Sequence, residues 1–88
     1  MEKSIMRATY GQIPNFIAEL TPFVGNSVTA YTNTKNGRYI VNSYNTVIAE
    51  IDIASRKPVY FDAKYYSRTT SRLQNILRDC FDMSSFEE

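Results

Sequence analysis

The chain has 88 residues, with ten basic and nine acidic side chains, so a formal charge of +1 gives no overall field that would draw it to nucleic acid or an anionic membrane. At 43% hydrophobic and 22% charged residues it has enough apolar material for one small packed domain, which argues against wholesale disorder. There is no histidine, the usual base for Ser and Cys nucleophiles, and one cysteine, Cys80, supplies neither an ordinary zinc site nor an internal disulfide. No apolar run reaches signal-peptide or membrane-spanning length, and a cytoplasmic protein without a membrane partner is expected.

Residues 4–10 admit a short strand ending at Gly11. Ile13, Phe16, Ile17 and Leu20 then recur at helical spacing. Pro14 falls near the first turn, where its missing N–H costs least, and the helix is expected to stop before Pro22. Gly25 and Asn26 release the chain into a β-rich middle. Residues 27–34 and 38–44 are rich in Val, Thr and Tyr, and between them Asn36-Gly37 suits the two positive-φ positions of a type I′ turn, which predicts a hairpin. Along 47–53, Val47, Ala49, Ile51 and Ile53 share one face while Glu50 and Asp52 share the other, the period of a strand with one wet side. A turn over 54–57 leads through Pro58 into Val59-Tyr60-Phe61, a fourth strand whose proline suits an edge or a strand start.

The last element reads as a helix. Leu73, Ile76, Leu77, Cys80 and Phe81 form its apolar stripe, and Arg72, Gln74, Asn75, Arg78 and Asp79 take the opposite side. Thr69, Thr70 or Ser71 is expected to cap its start. Residues 1–82 form the expected single domain, and 83–88 form an acidic tail that lacks periodicity and is expected to fray, Met83 or Phe86 being the side chains that could dock. The expected fold is α+β: a three- or four-stranded antiparallel meander with an N-terminal helix and a C-terminal helix packed on one face.

The chemistry is sparse. Cys80 on the apolar stripe reads as a small buried hydrophobe. Glu50 and Asp52 share a strand face, a placement open to a cation site or a general base but more economically read as the polar side of an amphipathic strand. Ser67, Thr69, Thr70 and Ser71 lack an activator, so neither an enzyme nor a cofactor is expected. What stands out is the run from Tyr65 to Arg72, where aromatics, hydroxyls and two arginines crowd the start of a helix. Free N–H groups there, with Arg68 and Arg72, are the ingredients of an anion or macromolecule site. From Arg56 to Arg78 six cations (Arg56, Lys57, Lys64, Arg68, Arg72, Arg78) face one anion, Asp62, a net of +5. The candidate binding residues are Lys64, Tyr65, Tyr66, Arg68, Thr69, Thr70, Arg72 and Arg78.

Ser43-Tyr44-Asn45-Thr46-Val47-Ile48-Ala49, then Val59-Tyr60-Phe61, Lys64-Tyr65-Tyr66-Ser67 and Thr69-Thr70-Ser71-Arg72, resemble a family of small phage- and plasmid-borne proteins of unknown function. In that family a Ser-Tyr-x-Thr-x-Ile-Ala strand precedes a Tyr-Ser-x-Thr-Thr-Ser-Arg segment. Val47 and Leu73 depart from the Pro and His that the family pattern places there. The resemblance implies a mobile-element origin and carries no activity with it. The expected role is a non-catalytic accessory protein that binds and modulates a host or viral macromolecule, an anti-CRISPR or other anti-defence inhibitor being one version. The alternatives are a nucleic-acid binder using residues 56–78, with tyrosines stacked on bases, and an assembly subunit that self-associates through a strand edge.

Overall fold

A computed structural model of the chain describes residues 6–7, 9, 11–25 and 27–86. In chain order the elements are β1 (Met6–Arg7), α1 (Ile13–Ala18), β2 (Phe23–Val24), β3 (Val28–Asn33), β4 (Arg38–Ser43), β5 (Thr46–Asp52), β6 (Lys57–Phe61), α2 (Arg68–Cys80) and a 3₁₀ turn, Ser84–Phe86. The strands form one sheet in sequence order, with β1 parallel to β2 and the rest antiparallel. The fold is therefore α+β, with more strands than the three or four expected. Two of the additions are two-residue strands, and Phe23-Val24, pinched between Pro22 and Gly25, is too short to show a period. Of the opening 4–10 segment only Met6–Arg7 is described as strand, and most of the rest lies outside the described residues.

Both helices cover the same face of the sheet. Ile13 and Ile17 of α1 and Leu73 and Leu77 of α2 close over Val28, Ala30, Tyr39, Val41, Ala49, Ile51 and Phe61 in one core, which Phe23, Ile48 and Met83 complete. Met83 is buried and Phe86 packs on the same cluster, so the segment up to Phe86 docks on the core where a fraying tail was expected. The other face of the sheet is a row of paired residues, Tyr31–Ile40–Glu50–Tyr60. Tyr39 lies wholly inside, and its hydroxyl donates to the Thr21 carbonyl at 2.8 Å.

Helix α1 ends at Ala18 rather than running to Leu20. Leu20 enters the left-handed region (φ 54) and its N–H bonds the Ile17 carbonyl, while Thr21 N–H reaches the Phe16 carbonyl, the two bonds of a Schellman stop. The β3–β4 hairpin forms, but its connection is four residues, 34–37, and not the two-residue type I′ turn predicted at Asn36-Gly37. Gly37 has φ 68, Asn36 keeps an ordinary φ, and the Asn33 side chain accepts from Lys35 N–H to shape the loop. The β5–β6 connection repeats this plan over 53–56. Asp52 takes the part of Asn33 by accepting from Ser55 N–H, and Arg56 (φ 61) takes that of Gly37.

Strict alternation fails in β5. Val41 pairs with Ala49 but Asn42 pairs with Val47, leaving Ile48 unopposed in a bulge. Ile48 and Ala49 both turn into the core, and Val47, expected there, is only half-buried. A second register shift in β5–β6 leaves Val59 unopposed between the Glu50–Tyr60 and Ile51–Pro58 pairs.

Candidate functional site

The β4–β5 turn and the start of α2 meet at one end of the molecule. Ser43 Oγ and Thr70 Oγ1 lie 2.7 Å apart in a buried contact between strand and helix. Ser67, with extended backbone, caps α2 by accepting from Thr70 N–H at 3.2 Å, and its hydroxyl donates to Thr70 Oγ1 at 3.3 Å. This corrects the expectation that Thr69, Thr70 or Ser71 caps the helix, because α2 begins at Arg68, three residues earlier than a cap at Thr70 requires.

Between β6 and α2 the chain runs through Asp62 to Tyr66, and Gln74 ties this stretch down. Its Nε2 donates to the carbonyls of Asp62 (2.7 Å) and Lys64 (2.9 Å). Expected on the solvated side, Gln74 is 3% exposed, a polar residue on a buried face whose donors meet a loop backbone. Asp62 in turn accepts from Lys64 N–H and from the Tyr66 hydroxyl, a bond that holds the Tyr66 phenol above its ordinary pKa. Smaller contributions come from burial, the Asp62 charge and Tyr60. The Lys64 ammonium stands over the Tyr66 ring, 5.9 Å from its centre.

The aromatics at this end face solvent. Tyr65 is 74% exposed, Tyr44 62% and Tyr66 42%. Tyr44, first residue of the two-residue β4–β5 turn, has φ 56, a conformation that costs a bulky L residue about 1–2 kcal/mol. Tyr44 and Tyr66 wall a cleft of about 160 Å³ that Ile48, Ser43, Thr46, Ser67 and Thr70 complete. The bulge in β5 is what places Ile48 there. Sequence reasoning missed Tyr44 and Ile48 as site residues; the available signal was the Tyr44-Asn45 pair between two strands, which reads as a hairpin tip.

Of the predicted site residues, Lys64, Tyr65, Tyr66 and Arg68 come together at this end. Arg72 follows Arg68 by one helical turn and is exposed. Thr69 is half-buried. Thr70 does not belong to the contact surface, because it is 2% exposed and its hydroxyl is bonded to Ser43 and Ser67. Arg78 does not belong either: ten positions beyond Arg68 it starts about 15 Å further along the axis. Its guanidinium lies over the Phe61 ring at 5.4 Å and donates to Asn75 Oδ1 at 2.9 Å. Arg56 and Lys57 are at the opposite end, beside Phe81 and Asp82, and Arg56 donates to the Ala18 carbonyl. The six cations of 56–78 therefore divide between the two ends.

Elsewhere the polar residues have structural work. Glu50 pairs with Arg38 at 3.3 Å across the open face of the sheet, and the side-chain and backbone hydrogen bonds from Ser55 hold the Asp52 carboxyl below its ordinary pKa. Burial, and then the Asp79 charge, push the Cys80 thiol up, and its Sγ–H points to the Pro14 carbonyl at 3.7 Å. Among the described residues no group of three or more His, Cys, Asp or Glu side chains is placed to hold a metal ion, and no helix is long and apolar enough to cross a membrane.

A family model described as a family of unknown function (DUF8033) matches residues 18–82. No curated protein matches the chain, and no solved structure does.

Proposed function

We propose that this chain, which belongs to that family of unknown function, is a non-catalytic binding protein that engages a protein partner through the tyrosine- and arginine-rich end at the start of α2. The observation that carries the reading is that exposed Tyr44 and Tyr66 wall one cleft, with Lys64, exposed Tyr65 and Arg68 beside Tyr66 in the chain and Arg72 one helical turn further on. Tyr and Arg are the residues enriched at the energetic centres of protein interfaces, and a large aromatic left in water is stabilised when a partner covers it. The capping and strand–helix bonds of Ser43, Ser67 and Thr70 give those hydroxyls a structural use, which supports a role without catalysis.

The division of the 56–78 cations between two ends favours a protein over a nucleic acid, since a phosphate backbone is read by a continuous basic track. Edge strand β6 carries Lys57, Pro58 and an unopposed Val59, three features that discourage strand-to-strand pairing. In its biological setting the protein is read as a cytoplasmic accessory factor of a phage or plasmid that modulates a host macromolecule, an inhibitor of a defence nuclease of the anti-CRISPR kind being the concrete version.

The test is affinity capture from host lysate with the intact chain and with a Tyr65→Ala/Arg68→Ala variant. A stoichiometric partner retained by the first and lost by the second is expected. Recovery of no partner, or equal recovery by both, contradicts the reading.

A further inference from the structure

We infer that the cleft between Tyr44 and Tyr66 receives one apolar side chain from an acidic segment of a protein partner, with Tyr44 as the anchor that grips it. The inference rests on the binding reading above and adds the chemistry of the partner.

The first observation is Tyr44 itself. It occupies a left-handed position that Gly or Asn takes without strain, yet most of its side chain stays in water, so folding alone gains little from a ring there. An aromatic held in an unfavourable backbone conformation and left exposed is suited to burial in a complex. The second observation is the lining of the cleft. The Tyr44 and Tyr66 rings supply its apolar walls, with fully buried Ile48 behind them, and the hydroxyls of Ser43, Ser67 and Thr70 are already bonded to one another, so this lining favours methyl and methylene groups.

The third observation is charge. Lys64 stands over one wall, Arg68 directly follows the lining residue Ser67, and the positive end of α2 opens at the same place. The nearby Asp62 carboxylate accepts from the Tyr66 hydroxyl and Lys64 N–H but keeps its charge, so Lys64 and Arg68 outweigh it by one. A cationic rim disfavours a Lys or Arg side chain between the two rings and favours carboxylates on either side of the inserted residue. A short acidic peptide satisfies all three observations.

The experiment is amide chemical-shift titration of the full chain with four probes. These are a blocked pentapeptide Asp-Glu-Leu-Asp-Glu, the same peptide with central Ala, a version with Lys in place of every acid, and a ten-nucleotide oligothymidylate. The acidic leucine peptide is expected to shift the Ser43, Thr46 and Ile48 amides. Central Ala should weaken it by up to about fiftyfold, because three carbons of apolar surface are lost. Tyr44→Asn, which keeps the left-handed backbone and removes the ring, should abolish the shifts while the variant stays folded. The inference is overturned by silence of the acidic peptide at millimolar concentration, by shifts from the basic peptide or oligothymidylate in its place, or by unchanged binding to Tyr44→Asn. Its failure is separable from that of the wider reading: a lysate partner lost by Tyr65→Ala/Arg68→Ala but kept by Tyr44→Asn removes the cleft occupant alone.

Discussion

Gln74 is the residue on which the site's backbone hangs. Replacing it by Met keeps the length of the side chain while deleting both donors, so the bonds to the Asp62 and Lys64 carbonyls at 2.7 and 2.9 Å disappear. Each neutral bond contributes about 1 kcal/mol net, so the loss is about 2 kcal/mol. For a domain of this size, at about 4–8 °C per kcal/mol, Tm should fall by about 10 °C. Gln74→Glu makes the reasoning sharper. Its carboxylate would face two carbonyl oxygens in a 3%-exposed site, which at pH 7 costs more than Met does. Burial and the carbonyls raise the folded pKa of that carboxyl above its unfolded value near about 4.3. A raised folded pKa means the deficit is smallest below the unfolded pKa, where the protonated acid regains one donor, and grows as pH rises through the folded value. Urea unfolding at pH 7 and pH 4.5 measures both effects, and amide exchange at residues 64–66 reports whether the loop is released. A Gln74→Met cost below about 0.5 kcal/mol, or a Gln74→Glu deficit indifferent to pH, would refute the role assigned here.

Further outcomes follow from the same structure. Thr70→Val should cost about 1–3 kcal/mol in urea unfolding because it leaves the buried Ser43 hydroxyl unpaired, and adding Ser43→Ala should recover part of that loss. Tyr44→Asn should raise stability by about 1 kcal/mol, since Asn tolerates the left-handed conformation and little packing is lost; a destabilised variant would show that the ring packs more than its exposure implies. Burial pushes the Tyr39 phenol well above its ordinary pKa, so stability fully present below about pH 10 should decline at higher pH as unfolding exposes an ionisable phenol. In Tyr39→Phe that part of the alkaline decline should vanish, as pH-dependent unfolding would show.

Much of the fold is legible in the chain because its signals are local. Asn36-Gly37 between two Val-, Thr- and Tyr-rich runs marks a hairpin, and the Leu73, Leu77 and Cys80 spacing marks a helix. What the sequence conceals is set by tertiary context. The bulge that turns Ile48 inward depends on how β4 and β5 pair, and strict alternation assigned that place to Val47. Gln74 reads as solvated because the loop it serves is ten and twelve positions away in the chain. At the site, composition alone pointed to Lys64, Tyr65, Tyr66 and Arg68. It also drew in Thr70 and Arg78, because a run of hydroxyls and cations does not reveal which of them face the sheet or the far end of the helix. Tyr44, more than twenty positions upstream, joins the site only through the strand–helix contact of Ser43 with Thr70.

The most direct measurement compares the two ends of the molecule against one partner. Once a partner is captured, its affinity for Tyr65→Ala/Arg68→Ala should fall at least about a hundredfold, equivalent to about 2.7 kcal/mol, while Lys57→Ala/Arg78→Ala stays within about twofold of the parent. Equal losses at both ends, or loss only with the second variant, would contradict the assignment of binding to the start of α2.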